Sequence, residues 1–176
     1  AEHIYQVVAL DLPDAFPALK SLEMVPNNLP RQLTTFIGRE RVIAEATRLL
    51  AETHLLTLTG PGGSGKTRLS LEIAASLLDE YPDGVWLVEF APQADPALVP
   101  QTLATTLGMR EEAGRPILTT LVDHLRLKRV LLLFDNCEHL IDACARLADA
   151  LLRGAPEVKI LSTSREALGL TGEVTF

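Results

Sequence analysis

The chain has 176 residues, 47% hydrophobic and 5% aromatic, with a formal net charge of −7. That length fits one domain, or one domain with a tail, and the apolar fraction suffices for a buried core. The acidic balance argues against nucleic-acid binding by the segment as a whole, no apolar run approaches a membrane span, and the opening Ala1-Glu2-His3 lacks the basic and apolar stretches of a signal peptide.

Residues 3–8, His-Ile-Tyr-Gln-Val-Val, alternate weakly and predict a short strand. Four of the eleven prolines follow, at 13, 17, 26 and 30, a density that neither a long helix nor a central strand tolerates. Residues 1–10 therefore read as the terminal strand of a preceding domain and 11–32 as a proline-rich linker. The compact part is expected over 33–176, broken off in mid-pattern at its C-terminal end, so that the chain reads as a piece of something longer.

Arg39 to Ala51 predicts an amphipathic helix, with Val42, Ile43, Ala46, Leu49 and Leu50 on one face. A strand at 55–59 leads into Gly60-Pro61-Gly62-Gly63-Ser64-Gly65-Lys66-Thr67 and then a helix to about Glu80, its apolar face being Leu69, Ile73, Ala74, Leu77 and Leu78. Strand, glycine-rich turn and helix match G-x-x-x-x-G-K-[ST], the phosphate-binding loop of nucleoside triphosphatases. A loop poor in side chains lets backbone N–H groups curl into an anion nest, and the helix adds its unpaired donors and positive dipole end. Lys66 can reach the β and γ phosphates, and the Thr67 hydroxyl can ligate Mg²⁺. The nucleotide-binding set is Gly60, Gly62, Gly63, Ser64, Gly65, Lys66, Thr67 and the adjoining Arg68.

Pro82-Asp83-Gly84 predicts a turn and 85–90 a second strand; helical patterns follow at 97–107 and 117–127. Residues 130–134 are five apolar residues in a row, a strand buried on both faces, ending at Asp135. A helix is expected from about Glu138 to Arg153, with Gly154 as its C-terminal stop. Cys137 and Cys144, seven apart on that segment, suit neither a zinc site nor a disulfide framework and read as reduced structural cysteines of a cytoplasmic protein. Residues 158–163 form a fourth strand, followed by Ser164-Arg165-Glu166, and 173–176 begin another.

Strands alternating with helices give an α/β fold: a parallel P-loop NTPase core with helices on both faces. Ligands of such sheets bind beyond the carboxyl ends of the strands, where the phosphate loop, Asp135 and Arg165 all fall. Asp135 fits a Walker B aspartate, holding Mg²⁺ through its water shell. The next residue, where many hydrolytic relatives of this layout place a second acid, is Asn136, which can orient water but is a poor base. Glu138 reads either as the nearest other carboxylate or as a first-turn acid at a helix N-terminus. Arg165 reads either as a group reaching the γ-phosphate or as a surface arginine paired with Glu166. His124 and His139 suit solvated or capping roles.

Phe36-Ile37-Gly38-Arg39-Glu40, the phosphate loop, residues 131–139 and Leu161-Ser162-Thr163-Ser164-Arg165-Glu166 resemble, in that order, the motifs of NB-ARC-type ATPases in the signal-transduction (STAND) branch of P-loop NTPases. Asn-Cys-Glu-His after the aspartate looks most like bacterial LuxR-type and related transcriptional regulators. The resemblance implies that Ile37, Gly38 and Arg39 line an adenine pocket and that Arg165 reads the γ-phosphate. The front of the chain, Glu2 to Val8 with Asp11-Leu12-Pro13, is similar to the last strand of a class III adenylate/guanylate cyclase domain. Two features depart from the pattern: Val42 stands where the family often has an acid, and the C-terminal winged-helix parts that complete the pocket, with the helix-turn-helix, lie outside this chain.

The expected function is an ATP/ADP switch in a cytoplasmic multidomain regulator, with Mg²⁺ and slow or conditional hydrolysis. Lys66, Asp135 and Arg165 would carry the chemistry and Thr67 and Asp135 the metal. Expected partners are the nucleotide and neighbouring domains of a longer chain, with nucleotide-dependent self-association admitted and no direct nucleic-acid or membrane contact. The alternatives are a self-contained small P-loop ATPase or kinase, and an interaction scaffold that no longer binds nucleotide.

Overall fold

The structure is a computed structural model describing residues 25–30, 39–110 and 114–176. Among the described residues the α-helices are α1 (Glu40–Glu52), α2 (Lys66–Ser76), α3 (Val99–Thr106), α4 (Ile117–Leu125) and α5 (Ile141–Gly154), and the strands are β1 (Leu55–Thr59), β2 (Val85–Glu89), β3 (Leu131–Asp135), β4 (Lys159–Ser164) and β5 (Glu173–Thr175). They form one parallel sheet in the order β2-β3-β4-β1-β5. Thus β4 lies between the strand feeding the phosphate loop and the strand ending in Asp135. The α/β parallel sheet is the one the alternating pattern predicts.

The two-residue period divides the apolar run of β3 between two cores. Leu131 and Leu133 pack with Ala46 and Leu50 of α1 and Leu69 and Ile73 of α2 on one face. Leu132 and Phe134 pack with Leu103 of α3, Leu121 of α4 and Leu147 of α5 on the other. Phe134 meets Phe90 edge to face, centroids 5.4 Å apart. Each large side chain buried in this way contributes about 1.5–3 kcal/mol relative to exposure.

Several boundaries differ from the expectation, each for a local reason. The helix expected to reach Glu80 ends at Ser76, and Leu78–Glu80 tighten into a 3₁₀ turn that keeps Leu77 and Leu78 buried. The helix expected from Glu138 begins at Ile141; Asn136, left-handed at φ 62°, first turns the chain into a 3₁₀ turn at Cys137–His139. Gly154 is the last residue of α5 and not a left-handed stop: an added Cβ would lie 2.3 Å from Cγ1 of Val122 on α4. Close helix packing, and not chain reversal, requires the glycine there.

Residues 25–30, within the proline-rich stretch, run beside the edge strand β2. Val85 N–H donates to Pro26 O at 3.0 Å; the Asn28 amide donates to Leu87 O and accepts from Leu87 N–H. Asn28 supplies by side chain the pairing that an edge strand leaves open. The expected strand at 3–8 lies outside the described residues.

Candidate functional site

The phosphate loop leaves β1 at Thr59 and enters α2 at Lys66. Gly63 and Gly65 take φ of 77° and 88°, which residues with a Cβ rarely adopt. The turn at Gly65 starts α2 without a side-chain cap and without an acid of its own in the first turn, so its terminal N–H groups and the positive end of its dipole face the loop. Lys66 folds back over the loop, its Nζ donating to Gly60 O at 2.8 Å and Pro61 O at 3.1 Å.

Asp135 closes the other side. Its carboxylate is buried, and Oδ1 accepts from Thr67 Oγ1 at 2.8 Å and from Thr163 Oγ1 at 2.6 Å. Thr163 also accepts the Asn136 backbone N–H at 3.0 Å. The interposed strand β4 thereby holds the end of β3 in register with the start of α2.

A cleft of about 360 Å³ opens beside this network, lined by Gly62, Lys66, Thr67, Asn136 and Glu138 among others. Arg165, just past β4, reaches across its mouth: Nε lies 3.4 Å from Glu138 Oε1, and a methyl added at Gly62 would sit 3.8 Å from Nη2. The hydrogen bond to Cys144, reinforced by burial, holds the Cys137 thiol well above the usual cysteine range. Both cysteines are free and buried, as expected of structural residues.

Asp135 and the Thr67 hydroxyl are hard oxygen donors held side by side at the loop. One or two protein oxygens completed by phosphate and water is the donor set that suits Mg²⁺. Among the described residues no group of three or more His, Cys, Asp or Glu is placed to hold a metal, and no helix is long and apolar enough to cross a membrane.

The family model described as Novel STAND NTPase 1, nSTAND1, matches residues 29–168. The chain belongs to the nSTAND1 family.

This nSTAND1 chain is 43% identical over 152 residues to the uncharacterised protein Rv0894 of Mycobacterium tuberculosis, covering 86% of this chain and 39% of that one. It is 44% identical over 128 residues to Rv0890c of the same organism, whose name marks it as a candidate HTH-type transcriptional regulator; 73% of this chain and 14% of that one are covered. The chain thus spans well under half the length of these relatives. Among solved structures, it superposes on a STAND protein with a tetratricopeptide repeat sensor from Pyrococcus horikoshii with a TM-score of 0.56 at 16% identity, over 90% of this chain and 24% of that one. On Cdc6p of Pyrobaculum aerophilum the TM-score is 0.57 at 18% identity, over 87% of this chain and 48% of that one. At such identities the likeness establishes the fold.

The fold brings Gly62, Gly63, Gly65, Lys66, Thr67 and Arg68 to the cleft wall, with Asp135 bonded to Thr67 behind it. Gly60 and Ser64 complete the loop turn, where Ser64 N–H bonds Pro61 O. Arg165 joins the site through Glu138, and not Glu166. Arg39 occupies the N-cap position of α1 and is not among the residues lining this cleft, and Ile37 and Gly38 lie outside the described residues. Sequence reasoning passed over Thr163. Its signal, a hydroxyl on a buried strand, gains meaning only once β4 is known to lie between β1 and β3.

Proposed function

We propose that this chain is the ATP/ADP-binding switch module of a cytoplasmic multidomain signalling or transcriptional regulator of LuxR type, hydrolysing ATP slowly or conditionally. The observation that carries this reading is the 2.8 Å bond between Thr67 of the phosphate loop and Asp135 at the end of β3, which unites the phosphate and metal halves of one site.

Roles follow from position. Backbone N–H groups of residues 60–65 and of the α2 N-terminus receive the phosphates. Lys66 exchanges the carbonyls of Gly60 and Pro61 for phosphate oxygens. Thr67 and Asp135 would hold Mg²⁺, which when bound would supply positive charge against the phosphates. Arg68 flanks the cleft, and Arg165, held beside Glu138 at its mouth, is assigned to the γ-phosphate. Ile37, Gly38 and Arg39 supply the adenine wall. Neutral Asn136 after Asp135 favours slow turnover, since an amide orients water without accepting its proton. The switch acts on neighbouring domains of a longer protein, among them a cyclase domain ending near residue 10, and on self-association.

Calorimetric titration with Mg·ATP and Mg·ADP tests the reading. Binding of both, abolished by Lys66→Ala, is expected. If neither this chain nor a longer one extending beyond Phe176 binds at millimolar nucleotide, the reading falls.

A further inference from the structure

Glu138 is a carboxylate that the phosphate chemistry above does not use. Its Oε2 is buried without a hydrogen-bond partner among the described residues, while Oε1 lies 3.4 Å from Arg165 Nε. An unsatisfied buried carboxylate oxygen is costly and calls for a reason. Beside an anion-binding loop the cost is compounded, because a second negative charge repels the ligand.

The backbones carrying the two side chains are both fixed. The 3₁₀ turn of Glu138 is pinned by His139, whose Nε2–H donates to Gln93 O at 2.8 Å, and by the Asn136 N–H bond to Thr163. Past Arg165, the Glu173 carboxylate accepts N–H bonds from Leu168, Gly169 and Leu170 at 2.7–3.2 Å. What is left free is the arginine side chain itself, which is 68% exposed. Glu138 takes its Nε edge, and Nη2 is then presented over Gly62 of the phosphate loop. A guanidinium binds an anion well only when its planar fork is oriented toward it.

We propose that Glu138 is a positioning residue that sets the preference for nucleoside triphosphate over diphosphate by aiming Arg165 at the terminal phosphate. This rests on the nucleotide-switch reading above. Glu138 touches no phosphate; it acts through the arginine. An amide oxygen at the same place can still accept from Nε–H, so Glu138→Gln keeps the aim and removes the repulsion, whereas Glu138→Ala removes both.

The test is calorimetric affinity of the purified chain, with Mg²⁺, for the non-hydrolysable β,γ-imido analogue of ATP and for ADP. Wild type is expected to prefer the triphosphate. Glu138→Gln should hold or raise that preference. Glu138→Ala should lower it about fivefold or more, mainly through the triphosphate, and add less than about twofold in an Arg165→Ala background, as residues acting as one unit do. Oε2 has no partner to lose, and the Oε1 pair is to a largely exposed arginine, so the melting temperature without nucleotide should change little in either variant. A Glu138→Ala preference that is unchanged or raised overturns the inference, as does an equal loss in the Arg165→Ala background. Wild-type binding of both ligands with equal affinity removes the role of Arg165, and this inference with it, while leaving Lys66-dependent binding intact. Binding of neither ligand overturns the switch reading itself.

Discussion

The Thr163 hydroxyl donates to Asp135 Oδ1 at 2.6 Å, from a strand that is neither the one bearing Asp135 nor the one feeding the phosphate loop. The Thr163 hydroxyl oxygen also accepts the Asn136 N–H, so one buried hydroxyl sets both the carboxylate and the turn behind it. Thr163→Ala should destabilise the fold by about 1–3 kcal/mol, because the Asn136 N–H loses its acceptor. Nucleotide affinity should fall more with Mg²⁺ than in excess EDTA, since Asp135 is proposed as a metal-side group. Urea unfolding and paired titrations measure the two effects. Equal loss with and without metal would remove Thr163 from the metal side.

Asn136 is the non-glycine residue with positive φ among the described residues, at 62°. Its identity has a backbone reason as well as a chemical one, since Asn tolerates the left-handed region better than most residues. Asn136→Gly should fold with near wild-type stability, and Asn136→Ala should lose about 1 kcal/mol. Chemical denaturation of the two variants decides the point; equal losses would trace the cost to the amide and not the backbone.

Gly154 meets Val122 across the α4–α5 contact, with 2.3 Å between an added Cβ and Cγ1. Valine is stiff at χ1, so it cannot swing aside as a longer side chain could. Gly154→Ala should cost about 1–3 kcal/mol through overpacking, despite the better helix propensity of alanine. Adding Val122→Ala should recover part of that loss in a thermal melt. A stabilised single variant would show that the helices separate freely.

His124 lies in the last turn of α4, where its Nε2 is 2.7 Å from Lys128 Nζ. Partial burial, then the Lys128 charge, lowers its pKa below the ordinary histidine value of about 6.5. The unfolded chain therefore takes up this proton first as the pH falls. Stability associated with neutral His124 is present above about pH 6.5 and is lost as the pH drops through the unfolded value toward the lower folded one. The melting temperature of wild type should fall more steeply between pH 7 and 5 than that of His124→Gln. Parallel slopes would rule the histidine out as the source.

The parallel α/β architecture was legible because its signals are local. The apolar run of β3 and the helical periodicity need no knowledge of the rest of the chain. The starts of α5 and the end of α2 were less legible, because Asn136 and Leu77 reset the chain for reasons of packing and turn geometry. Gly154 read as a stop for the same cause: sequence carries the residue type, while the close approach of Val122 belongs to the contact.

The sequence by itself determined the phosphate loop, since Gly60 to Thr67 with its flanking strand and helix is one continuous stretch whose chemistry lies in backbone donors and two adjacent side chains. It also marked Asp135 and Arg165 as the residues at the ends of later strands. Only the tertiary structure decided how they combine. The order β3-β4-β1 brings Asp135 to Thr67 and places Thr163 of β4 on the same carboxylate oxygen, and the left-handed turn at Asn136 swings Glu138 to Arg165. Those pairings span 27 to 68 residues of chain, and strand order, which no local pattern encodes, sets which distant side chains come within hydrogen-bonding reach.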